Sequence, residues 1–215
     1  MSRALPILFN TEMVRAILDG RKTCTRRVIK LPENMDGVPV GKSGDSSNPL
    51  GFMYPGGIKR PPYQPGDILY VRETWCALPV NEAGHMRGHS IYYYRADGDL
   101  RPEGWRGKWR PSIHMPKEAA RIWLKVTDVR VERLQDITPK GAESEGVGNL
   151  FYDDIGYGEK NYGTEVDTEY GIAKEQFAWL WESTIKKSDL DRYGWDANPW
   201  VWVIEFERCE KPEGV

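Results

Sequence analysis

Histidine and cysteine are scarce in this chain, three of each among 215 residues. The cysteines, Cys24, Cys76 and Cys209, are odd in number and widely spaced. That count excludes a fully paired disulfide framework, and the spacing gives no zinc ribbon. His85 and His89 stand four apart, but Gly84 and Gly88 place them in a loop and no carboxylate pattern completes a zinc site; His114, between Pro111 and Pro116, has no partner in the sequence. No metal and no cofactor are expected. Nowhere do about 18 apolar residues run together, and no basic region followed by an apolar run opens the sequence, so neither a membrane partner nor secretion is expected. Net charge is nearly absent too, at −2, which removes any global attraction to nucleic acid and leaves phosphate contacts to a local patch. There is no internal repeat. These absences predict a cytoplasmic protein of one folded core with long loops.

What is present is concentrated early. Met13, Val14, Ile17 and Leu18 recur at helical spacing, Asn10 or Thr11 can cap the start, and Asp19-Gly20 supplies a stop. Directly beyond lies Gly20-Arg21-Lys22-Thr23-Cys24-Thr25-Arg26-Arg27, with one amine, two hydroxyls and three guanidinium groups. Cations suit a helix C-terminus, so a plain reading is basic residues satisfying carbonyls; the sharper one is an anion or nucleotide site. Further on, Leu31 to Gly66 is rich in Gly, Pro and Ser without a sustained apolar period and reads as a long loop or insertion. Asp67 to Trp75 alternates as a strand after a Pro-Gly-Asp turn, and Ser90 to Arg95 is a second strand candidate. Ala120 to Glu132 reads as a long strand or hairpin, Phe177, Leu180, Trp181 and Thr184 mark a helix face, and an apolar strand ends at Phe206. Strands and helices do not alternate regularly, so a mixed barrel is preferred to a doubly wound sheet.

In order, Gly20-Arg-Lys-Thr-x-Thr with its nearby Arg, the Pro65 to Trp75 block, the Thr138 to Gly146 segment and the closing strand Trp200 to Phe206 resemble the ASCH domain, a relative of PUA domains. Long, Trp-rich versions resemble those of bacteriophages and prophages, which implies a bacterial or phage-infected host cell. The resemblance implies an α+β fold, a PUA-like mixed β-barrel with short flanking helices and loop insertions at about 31–66 and 146–171, all within one domain, 1–215. One branch of the family is similar in carrying Lys, Thr and Glu that remove the acyl group from N4-acetylcytidine. Carried over motif by motif, these are Lys22, Thr25 and Glu145; Glu143, two residues earlier, is the other glutamate that can be aligned. Chemically the set suffices: a threonine nucleophile, a neutral lysine to take its proton, and an acid for the leaving nitrogen. Lys22 and Thr25 fall on opposite faces of a regular strand, so their cooperation requires a turn or a kinked entry. An ion pair that merely closes the barrel is the structural alternative for Lys22 and the glutamate.

Around this centre, Arg21, Thr23, Arg26, Arg27 and Glu73 are substrate-binding candidates, and Trp75, Trp105 and Trp109 are stacking candidates for a modified pyrimidine nucleoside or RNA. The Trp105 to Arg110 alternation reads equally as cation–π packing. Trp181, Trp200 and Trp202 read as core. Asp153 to Glu169 is strongly acidic and reads as a solvated loop, without the spacing of a calcium site. Three function classes follow: an amidohydrolase, a non-catalytic RNA- or DNA-binding module, and a phage assembly or host-interaction protein.

Overall fold

The computed structural model describes residues 4–79, 90–104, 107–147 and 168–213. Trp105, His85, His89 and residues 148–167 lie outside the described residues, and the loop expected over 146–171 is corrected at its end, where a helix begins at Thr168. In chain order the elements are β1 (Ala4–Leu8), α1 (Thr11–Leu18), β2 (Cys24–Val28), β3 (Val38–Val40), β4 (Gly51–Tyr54), β5 (Gly57–Lys59), β6 (Ile68–Arg72), β7 (Trp75–Pro79) and β8 (Ser90–Tyr94). They continue with β9 (Trp123–Arg133), α2 (Pro139–Ser144), α3 (Thr168–Thr184), α4 (Leu190–Tyr193) and β10 (Trp200–Cys209). The fold is α+β. Its strands form separate open sheets, and among the described residues no barrel closes. No described helix is long and apolar enough to cross a membrane.

The single domain expected from motif order comprises two compact units, the first of Met1–Asp19, Asp67–Lys125 and Glu207–Val215, the second of Gly20–Gly66 and Val126–Phe206. In the first unit, β1 runs parallel to β6, and Ile68 to Tyr70 of β6 pair antiparallel with Lys125 to Trp123. Helix α1 forms where the spacing puts it: Asn10 Oδ1 accepts from Met13 N at 2.9 Å, Val14, Ala16 and Ile17 are buried, and the chain leaves after Asp19. β7 and β8 make a hairpin ladder from Trp75↔Tyr94 to Pro79↔Ser90. Trp75, Met115 and Ala119 form a small buried cluster beside Tyr92 and Tyr94.

In the second unit the strand order is β9-β10-β2, with β2 outermost and antiparallel to β10 from Val28↔Val201 to Cys24↔Glu205. One face of that pair carries Cys24, Val201 and Val203 and is covered by Leu134, Ile137, Ala142, Val147, Phe177 and Trp181. Trp202 is buried as expected, whereas Trp200 is half-buried, its ring 5.5 Å from Phe52 and under the Arg133 guanidinium at 4.2 Å. The segment 31–66 is corrected from a loop to a small sheet, β3-β4-β5, with Phe52 fully buried. Its strands are three or four residues long, and Val38, Met53 and Ile58 are exposed, so no apolar period marks it in the sequence. Gly41, at φ 74°, faces the Pro49 carbonyl so closely that a Cβ would sit 2.4 Å from it.

Candidate functional site

Gly20, at φ 76°, turns the chain out of α1, and from there Lys22 forms an isolated antiparallel bridge with Glu145. The two peptide groups of Thr23 then go to different partners: its N–H donates to Ser144 O and its carbonyl accepts from Phe206 N, each at 2.9 Å. Thr23 is therefore where the chain passes from the end of α2 to the β10 ladder, and from Cys24 onward β2 pairs in regular register. Helix α2 is set by Thr138, whose hydroxyl accepts from Gly141 N at 3.1 Å, and by Pro139 in its first turn. Glu145, which caps the C-terminus of α2, meets the basic run. Lys22 Nζ donates to Glu145 O at 2.9 Å and Arg21 Nη1 to Gly146 O at 3.0 Å. The plain reading of cations on helix-end carbonyls is thus realised at the end of α2.

The side chains of Lys22 and Glu145 are buried, at 0% and 3% exposure, with Nζ to Oε2 at 2.6 Å. Arg26 Nη1 reaches the other oxygen, Oε1, at 3.3 Å. Glu143 is exposed, so the glutamate that faces Lys22 is Glu145. Burial holds the Lys22 amine below its ordinary value, against the upward pull of Glu145 and with Arg27 adding to the lowering. Burial and then the Glu145 charge push the Cys24 thiol up to about 12, so it stays protonated beside the pair. The Arg27 guanidinium is also lowered, again by burial first.

Thr25 is buried between Cys24 and Arg26 on β2, opposite Ile204 in the ladder. Strand alternation turns it to the face away from Cys24 and Arg26. The structure brings Lys22 and Arg26 onto the Glu145 carboxylate and puts Thr25 across the strand from it. Because β2 is the outermost strand of its unit, both faces border the same edge. Thr23 is exposed and Arg27 half-buried. The backbone bonds Phe206 N to Thr23 O and Ile29 N to Trp200 O assign the inward-pointing peptides to odd-numbered residues of β2. The N–H groups of Cys24 and Arg26 consequently point to the outer edge.

The other candidates belong to the first unit. Glu73 is fully buried and clamped by Arg121, Nε to Oε1 at 2.9 Å and Nη2 to Oε2 at 3.0 Å; Arg121 Nη1 also binds Asp97 at 2.7 Å. Burial raises the Glu73 carboxyl above its ordinary value, opposed by Arg121. Trp75 is packed, with the Arg110 guanidinium over its ring at 5.4 Å and Tyr92 at 5.8 Å. Trp109 carries Arg101 at 4.6 Å and Arg95 at 5.5 Å. Of the two readings of the Trp105 to Arg110 alternation, cation–π packing describes Trp109. Among the described residues no group of three His, Cys, Asp or Glu could hold a metal ion.

Sequence reasoning did not single out Glu132, Arg130 or Arg121. The first two lie on β9 two residues apart, a charged pair at the end of an otherwise apolar alternation, and that break in pattern is the signal they left. No protein-family model, no curated protein and no solved structure matches the chain.

Proposed function

We propose that the protein hydrolyses the amide of an N4-acylated cytidine, with Lys22 and Glu145 handling the proton and Thr25 forming the covalent intermediate. In this reading the acyl group lies along the outer edge of β2, where side chains from both faces of the strand can reach it. Thr25 Oγ1 attacks the acyl carbon while Lys22 takes its proton. The oxyanion is held by N–H groups of that edge, those of Cys24 and Arg26 being nearest to Thr25 in the chain. The C–N bond then breaks, Glu145 gives a proton to the departing cytosine nitrogen, and the acyl group remains as an ester on Thr25. Water cleaves the ester, releasing a carboxylic acid and restoring the hydroxyl.

The observation that carries this reading is the 2.6 Å hydrogen bond between Lys22 and Glu145. A base and an acid bonded to each other can pass the nucleophile's proton on to the leaving group, and burial favours the neutral amine that the base role needs. A second observation supports it: among the described residues the buried polar or charged side chains are Lys22, Thr25, Arg26, Glu73 and Glu145. Burying such groups costs free energy, and no core requires a hydroxyl, an amine and a carboxylate together. Mass spectrometry of the protein quenched during turnover of N4-acetylcytidine tests the intermediate. The expected result is an added acetyl group on Thr25, absent in Thr25→Val; full turnover by Thr25→Val removes Thr25 from the mechanism.

Binding of RNA or DNA without bond cleavage is favoured by one observation, the pairing of Arg95 and Arg101 on Trp109, which orients guanidinium groups. Salt separates the two readings. Phosphate binding weakens steeply with added salt, whereas turnover of a neutral nucleoside scarcely responds.

A further inference from the structure

Arg26 occupies an unusual position for a side chain first read as binding substrate. It is buried, and both ends of its guanidinium are committed: Nη1 to Glu145 Oε1 at 3.3 Å and Nη2 to Glu132 Oε2 at 3.2 Å. Nη1 also lies 3.9 Å from Cys24 Sγ, and the guanidinium stands 5.7 Å over the Phe177 ring. Space around it is limited on the α2 side, where a Cβ at Gly141 would come within 3.2 Å of Nη2. Glu132 is partly exposed and is itself bound by Arg130 Nε at 2.5 Å, and Arg130 continues to Glu205 and Asp128. Charges therefore alternate from the buried amine to the surface: Lys22, Glu145, Arg26, Glu132, Arg130, then Glu205 and Asp128.

We propose that Arg26 is a positioning residue, which anchors Glu145 Oε1 so that Oε2 stays on Lys22, while Glu132 sets how strongly it does so. The proposal rests on the amidohydrolase reading for its purpose, but its electrostatics are independent of any substrate. One buried carboxylate is shared by an amine and a guanidinium, so whatever Arg26 withdraws from it Lys22 loses. Glu132 competes with Glu145 for Arg26 from the other side. The charged and titratable groups that act on the amine include Glu145 from the end of α2, and Cys24 and Arg27 from β2. Those at Arg26 are Glu145, Glu132 of β9 and Cys24. With Cys24 protonated, Arg26 and Glu132 are the members whose removal changes the balance at Lys22 without touching it.

The two substitutions have opposite signs. In Arg26→Gln, Glu145 is left to Lys22 alone and a nearby positive charge is gone, so the amine keeps its proton to higher pH. In Glu132→Gln, Arg26 is released toward Glu145 and the amine gives up its proton at lower pH. The test is the NMR titration of the Lys22 Cε resonance in protein labelled at lysine, assigned with Lys22→Met. The expected result is a midpoint about one pH unit higher in Arg26→Gln, a downward shift in Glu132→Gln, and recovery toward the wild-type value in Arg26→Lys, which keeps the charge. Shifts of the same sign in Arg26→Gln and Glu132→Gln, or a midpoint unchanged in both, overturn the proposal. Should Arg26→Gln fail to fold, the sign of the shift in Glu132→Gln decides alone. Turnover of N4-acetylcytidine by the same proteins is read in parallel. Opposite shifts without wild-type turnover support the role of Arg26 and remove the amidohydrolase reading; opposite shifts with turnover move the pH–rate profile of each variant the same way as its titration.

Discussion

Lys22 and Glu145, 123 positions apart in the chain, are joined by a 2.6 Å bond between side chains that are almost entirely out of solvent. Such a pair is expensive to assemble and gains little net stability over an apolar pair of the same volume. A substitution that breaks it from one side is costly, and which side matters here. Glu145→Gln leaves both Lys22 and Arg26 facing a neutral amide, and the expected loss is about 3–5 kcal/mol, the range for an orphaned buried charge. Lys22→Met leaves Glu145 still paired with Arg26, and its loss is smaller. Urea denaturation of the two variants checks the order.

Glu73 gives the first unit its own pH signature. Its folded carboxyl is raised above the ordinary 4.5 by burial. Between the ordinary value and the raised one the folded chain holds a proton that the unfolded chain has released, so this contribution to stability is complete below 4.5 and is lost as pH rises through the folded value. Glu73→Gln loses the Arg121 clamp at every pH, so the expected signature is the trend: the stability of the wild type relative to Glu73→Gln, from denaturation midpoints measured between pH 4 and 7, falls as pH rises. Parallel curves contradict the assignment.

The thiols rank by burial and charge. Cys24 and Cys76 are buried and Cys209 is half-buried. All three are raised by burial, Cys24 the furthest, to about 12. Because the thiolate is the reacting form, an exposed-thiol reagent at pH 7.5 is expected to label Cys209 first and Cys24 only on unfolding. Rapid labelling of Cys24 in the native protein means that the buried site opens.

Much of the site was legible because its chemistry is local. The Asn10 cap, the Gly20 stop and the cationic run fix the entry to β2, and Thr138-Pro139 starts the short helix that ends on Glu145. The choice between Glu143 and Glu145 was not legible, because it depends on which residue of the last helical turn faces the Lys22 bridge. Nor was the committed state of Arg26, since Glu132 reaches it from another strand 106 positions away. The small sheet at 31–66 escaped for a different reason: strands of three or four residues with one exposed face carry too few apolar positions to show a period. Trp109 was ambiguous because an indole between basic residues looks alike in sequence whether it packs against guanidinium groups or stacks on a base, and the packing of Trp75 depends on Arg110, 35 positions away.

The central claim is that the buried amine and carboxylate work on an amide. Chromatographic conversion of N4-acetylcytidine to cytidine by the purified protein, with Lys22→Met as control, tests it most directly. Turnover by the wild type and a loss of at least about 100-fold in Lys22→Met, the usual scale for a general base, are the expected results. Equal turnover by both proteins, or none by the wild type, contradicts it.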